Sequence, residues 1–116
     1  MEIFDLSCCG LSALPNEFTR MTQLMELNLG TNELSALPSN LGKLSRLVTL
    51  NLCDNNLRDL PISMGYCQGL LHCYLDRNPI QDEKLLQKAN MGSDHLCDYL
   101  ETRMLSELSA FLAKCH

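Results

Sequence analysis

Apolar residues in the first eighty positions fall on a lattice that repeats every 23 residues. Leu27, Leu50 and Cys73 occupy one column, headed by Phe4, and Leu6, Leu29, Leu52 and Leu75 occupy the next. Leu11, Leu34, Leu57 and Ile80 follow, then Leu14, Leu37 and Leu60, each trailed by Pro15, Pro38 or Pro61. Within a unit, Leu27 and Leu29 or Leu50 and Leu52 are separated by one polar residue, the alternation of a strand with one buried face. Proline after the later leucine cannot continue a strand, so the chain must turn there and return by an irregular or 3₁₀ path. One such unit cannot bury its own leucines; stacked units form a continuous core and a parallel sheet.

Polar residues on the same lattice add a second signal. Asn32, Asn55 and Asn78 recur where each strand turns away, with Cys9 in the first unit. An asparagine amide offers donors and an acceptor to backbone groups left inside the turn without sheet partners. The full pattern, L-x-x-L-x-L-x-x-N-x-L-x-x-L-P, resembles the leucine-rich repeat in its typical intracellular form. It covers residues 1–80 as three full units and a partial fourth. The resemblance implies an α/β solenoid with a short parallel sheet on its concave face. It also implies a protein-binding role of the kind seen in short adaptors and signalling scaffolds.

The lattice stops after "YLDRNPI", where Glu83 and Lys84 replace the expected leucine and proline. "DEKLLQKANMG" predicts a short helix, with Asp82 as N-cap and Gly92 beyond its end. "SDHLCDYLETRMLSELSAFLAKC" predicts a longer one started by Ser93 or Asp94. Leu96, Leu100, Met104, Leu108 and Leu112 form its apolar stripe, with Tyr99, Leu105 and Phe111 alongside. Residues 81–116 therefore read as a helical C-terminal cap on the last repeat, within a single structural domain. At the other end Met1 already occupies the first position of a repeat. The strand expected around Ile3 to Ser7 then has an open edge, which could serve self-assembly or joining to a longer solenoid.

Composition narrows the function. With 46% apolar residues and only six aromatics among 116, leucine must fill the interior. The net charge of −5, with no Lys/Arg cluster, argues against nucleic acid as a ligand. No apolar run approaches the ~20 residues of a membrane span. "MEIFDLSCCG" lacks the basic start of a secretory signal, so the seven cysteines read as free thiols and the expected location is cytoplasmic.

The histidines and thiols are the residues that could carry chemistry. His72 precedes Cys73, but adjacent strand residues face opposite sides, so the two cannot act as base and nucleophile. His95 and His116 read as solvated. The cysteines lack metal-ligand spacing. The reading is a non-enzymatic chain without cofactor.

Function is expected on the residues between the strand leucines, which project from the sheet. Ile3, Glu26, Thr49 and His72 form one column, and Asp5, Asn28, Asn51 and Tyr74 the next. Ser7, Gly30, Cys53 and Asp76 follow, with Cys8, Thr31, Asp54 and Arg77 at the margin. The candidate protein-binding residues are Glu26, Asn28, Asn51, Asp54, His72, Tyr74, Asp76 and Arg77. Their acidic lean suits a protein partner with a basic patch, and Tyr74 and Arg77 are residue types enriched at binding hot spots. The alternative reading is a structural unit that assembles with itself or with further repeats through the N-terminal edge.

Overall fold

The computed structural model describes residues 2–115. The readings placed on Met1 and His116 lie outside the described residues. Four parallel strands, β1 (Glu2–Asp5), β2 (Leu24–Asn28), β3 (Thr49–Asn51) and β4 (His72–Tyr74), form one sheet in sequence order. Helices α1 (Glu83–Met91) and α2 (Ser93–Lys114) follow, so the composition is α/β. Each strand joins the next through a 3₁₀ turn, at Asn16–Arg20, Leu41–Lys43 and Ile62–Tyr66. The turns at 16–20 and 62–66 begin directly after Pro15 and Pro61, where proline ends the extended path.

Pairing follows the lattice. Leu27 lies opposite Leu50 and Leu50 opposite Cys73, in parallel, so each strand is its neighbour displaced by one repeat. Leu27, Leu29, Leu34, Leu50, Leu52 and Leu57 are buried in one core between the sheet and the 3₁₀ turns. Close packing on the turn side explains two glycines one repeat apart. A Cβ on Gly42 would lie 2.0 Å from the carbonyl oxygen of Ser63, and one on Gly65 would lie 2.9 Å from the backbone nitrogen of Glu101. Gly65 is thus where α2 crosses the third repeat.

The end positions depart from the sequence reading. Phe4 stays 36% exposed and meets Phe18 edge to face at 6.0 Å, because β1 has a neighbouring strand on one side only. Cys73, in the last strand, is half-buried for the same reason.

Asp82 caps α1 as expected, its Oδ1 accepting the backbone N–H of Lys84 and Leu85 at 3.0 and 3.2 Å. The start of α2 is a correction. Ser93 and Asp94 are its first two residues, and Gly92, at φ 134°, occupies the cap position, which makes no side-chain capping bond. The left-handed φ lets the chain reverse between two helices in a single residue, a conformation open to glycine. The apolar stripe of α2 is corrected too. Leu96 and Leu100 are fully buried and Met104 is half-buried, whereas Leu105, Leu108, Phe111 and Leu112 are exposed. Only the first half of the helix packs on the third repeat.

Polar contacts hold that first half in place. Arg103 forks onto Asp59 of the third repeat with two bonds of 3.1 Å and lies 3.6 Å from Asp82. The Tyr99 hydroxyl donates to Asp82 at 2.6 Å. That hydroxyl, aided by the N-terminal amides of α1 and by Arg103, holds the Asp82 carboxyl below the usual range.

Candidate functional site

The outer face of the sheet is built by the register just described. Glu26 lies opposite Thr49 and Thr49 opposite His72; Asn28 lies opposite Asn51 and Asn51 opposite Tyr74. Neighbouring strands are about 4.8 Å apart, so these columns form one continuous surface. Its margin is a row of residues in the left-handed conformation. Cys8, Thr31, Asp54 and Arg77, each one repeat apart, have φ of 57°, 56°, 59° and 60°. None is glycine, and Thr31 is β-branched, for which this region is uncommon and strained.

The reason lies one residue further on, where the left-handed turn swings the next side chain inward. Asn32 accepts the amides of Cys9 and Leu11 at 3.1 and 3.0 Å and donates to the carbonyls of Leu6 and Leu29 at 3.0 and 2.9 Å. Asn55 accepts from Leu34 and donates to Leu29 and Leu52, and Asn78 accepts from Leu57 and donates to Leu52 and Leu75. Each asparagine therefore ties its own repeat to the preceding one, and the strain at the margin is offset by the bonds it sets up.

Seven of the eight candidate residues fall into two groups, with Glu26 apart from both. Asn28 and Asn51 spend their side-chain carbonyls locally: each accepts the backbone N–H two residues on, from Gly30 and Cys53, at 3.0 Å. Asp5 does the same for Ser7 at 2.9 Å. That column is a set of strand-end turns as much as a surface. In the fourth repeat Tyr74 takes the position and stands 45% exposed.

The second group gathers at β4. The rings of His72 and Tyr74 stack, with planes 5° apart and centroids at 6.0 Å. Arg77 reaches back one repeat and grips Asp54 with both oxygens engaged, Nη2 to Oδ2 at 2.9 Å. The Arg77 guanidinium holds the Asp54 carboxyl below its ordinary range, and Asp54 raises Arg77 in turn. Asp76 lies beside them without an ion-pair partner among the described residues. Glu26 is two strands away from this cluster.

β4 is the last strand of the described sheet, and a cleft of about 540 Å³ opens between it and the α1–α2 junction. His72, Tyr74, Asp76 and Arg77 line one wall and Leu86, Asn90 and Ser93 the other. The helix residues were missed by the sequence reading. No spacing signal places α1 beside β4; that contact arises only when the chain folds back.

The thiols divide by depth. Cys67 and Cys97 are buried, and burial pushes them up to about 12 and about 11. The Cys97 thiol donates to the carbonyl of Cys67 at 3.4 Å. Among the described residues no group of three His, Cys, Asp or Glu is placed to hold a metal ion. No described helix is long and apolar enough to cross a membrane.

Comparison with known proteins adds one positive result. Residues 46–67, the third repeat with its 3₁₀ turn, match the family model described as Leucine Rich Repeat. No curated protein matches the sequence. The matched unit, the parallel strands displaced by one repeat and the asparagine bridges between units agree with one another, and residues 46–67 are similar to a leucine-rich repeat.

Proposed function

We propose that the chain is a protein–protein interaction module, an adaptor or regulator, whose partner docks on the outer face of the sheet. Leucine-rich repeats generally mediate protein–protein interaction and are generally not catalytic. In this reading the repeats form a solenoid with a concave sheet, and α1 with the first half of α2 caps it. The observation that carries the proposal is the cluster at β4. There a stacked His72–Tyr74 pair, a forked Arg77–Asp54 pair and Asp76 border a cleft rather than a flat sheet. Tyrosine offers aromatic area and a hydroxyl at little conformational cost, and arginine can fork onto a carboxylate.

Glu26, Asp76 and Asp5 give the face an acidic balance. The partner is accordingly a protein with a basic patch, neither nucleic acid nor membrane, met in the cytoplasm. Complementary charge of this kind speeds association and is screened by salt.

The test is affinity capture with the whole chain, compared with the double variant Tyr74→Ala and Arg77→Ala. The variant should lose the captured protein while keeping its far-UV circular dichroism and unfolding midpoint. Association of the captured protein with the native chain should slow as salt rises. A partner that binds the double variant with unchanged affinity would place the site elsewhere.

A further inference from the structure

Beyond Met104, every described residue of α2 is exposed. This is unusual for its composition, because the segment is not polar. Leu105, Leu108, Phe111 and Leu112 are 56%, 52%, 62% and 50% exposed, so four large apolar side chains stand half in water on three successive turns. At 100° per residue they fall, with Met104 and Cys115, within an arc of about 120°. Together they present roughly 400 Å² of contiguous apolar surface, the scale at which a patch on a soluble protein marks an interaction site.

The flanks of this arc are not alike. Glu107 and Lys114 lie along one side, with Thr102, Ser109 and Ala113 along the other. Arg103, further round on the charged side, is occupied by Asp59. The arc is therefore bordered by one acid and one base, seven positions apart, on a single edge.

We propose that this surface pairs with the same surface of a second copy of the chain, the two helices running antiparallel. The register follows from the residues. Setting Leu108 against Phe111 of the second copy brings Met104 against Cys115 and leaves Leu105 within two positions of Leu112 on the flank, so apolar faces apolar along the seam. In antiparallel helices like flanks meet, and this register sets Glu107 of each copy beside Lys114 of the other. A parallel pair would instead set each charged edge against an uncharged one and form no such ion pair. The charge pattern thus selects a second copy in one orientation.

The area sets the strength. With the flanks included, the pair buries on the order of 1,000 Å², the lower limit for a specific interface. An interface of that size is a weak, concentration-dependent equilibrium rather than a permanent state. The sheet face stays free in the dimer, which would present two copies of it to a partner.

Sedimentation equilibrium on the full chain, in reducing buffer from about 1 to 300 µM, tests this. The expected result is a reversible monomer–dimer equilibrium. Leu108→Glu should be monomeric throughout with unchanged circular dichroism, since Leu108 stands exposed beyond the buried part of α2. Glu107→Lys and Lys114→Glu should each weaken dimerisation roughly threefold to tenfold. The double exchange should restore native affinity. A native chain that stays monomeric at the highest concentration overturns the proposal, as does a Leu108→Glu variant that still dimerises. A double exchange that remains as weak as the single variants overturns the antiparallel register.

Discussion

At the scale of single residues, the decisive positions come in adjacent pairs with opposite fates. Asn55 is buried and bridges two repeats through three backbone groups, while Asn56 next to it is exposed. Asn55→Ala should cost about 1–3 kcal/mol, because it strands the Leu34 amide and the Leu29 and Leu52 carbonyls. Asn56→Ala should stay within about 0.5 kcal/mol. Urea unfolding of the two variants side by side checks the contrast, and equal midpoints would remove the bridging role. The strained margin makes a second prediction of opposite sign. Thr31 holds φ 56° in a side chain poorly suited to it, whereas asparagine tolerates that region. Thr31→Asn should therefore stabilise the chain, by about 1 kcal/mol in the same assay.

At the scale of elements, α2 is one helix with two environments. Leu100→Ala, at a fully buried position, should cost about 2–5 kcal/mol through the cavity it leaves. Leu108→Ala, measured at concentrations where the chain is monomeric, should cost less than about 0.5 kcal/mol. Similar losses at both sites would mean that the second half of the helix packs on the repeats after all. The junction with α1 is pH-sensitive in a defined direction. The Asp82 carboxyl is held below its ordinary range, so its bonds contribute stability above the unfolded value near pH 4 and lose it as pH falls through the folded value. Asp82→Asn should accordingly lower the urea midpoint at pH 7 and differ little from the native chain near pH 2. A deficit that persists undiminished at low pH would assign the loss to packing instead of charge.

At the scale of the whole molecule, the stack can be followed through its thiols. Cys8, Cys9 and Cys115 are exposed, while Cys67 and Cys97 lie in the core between the third repeat and α2. A thiol reagent at neutral pH should modify the exposed group quickly, and Cys67 and Cys97 only as fast as the structure opens. Rapid labelling of Cys97 in the native state would show that α2 detaches from the repeats. The distribution of buried and open surface also separates what a reader of the sequence could see from what could not be seen. The parallel strand register, the buried leucine columns and the inward asparagines were legible because a stacked repeat interacts with its neighbours by a fixed displacement. Periodicity then stands in for three-dimensional contact. The columns of the outer face were legible for the same reason. The cleft beside His72, Tyr74, Asp76 and Arg77 was not, because its other wall, Leu86 of α1 and Ser93 of α2, comes from two helices that lie outside the repeat and obey no period. Nor was the division of α2. Its apolar stripe continues unchanged from Leu96 to Leu112, and periodicity records which side of a helix is apolar but not how far the surface beneath it extends. The repeats end, the helix does not, and the tertiary structure alone decides that Leu100 is core and Leu108 is surface.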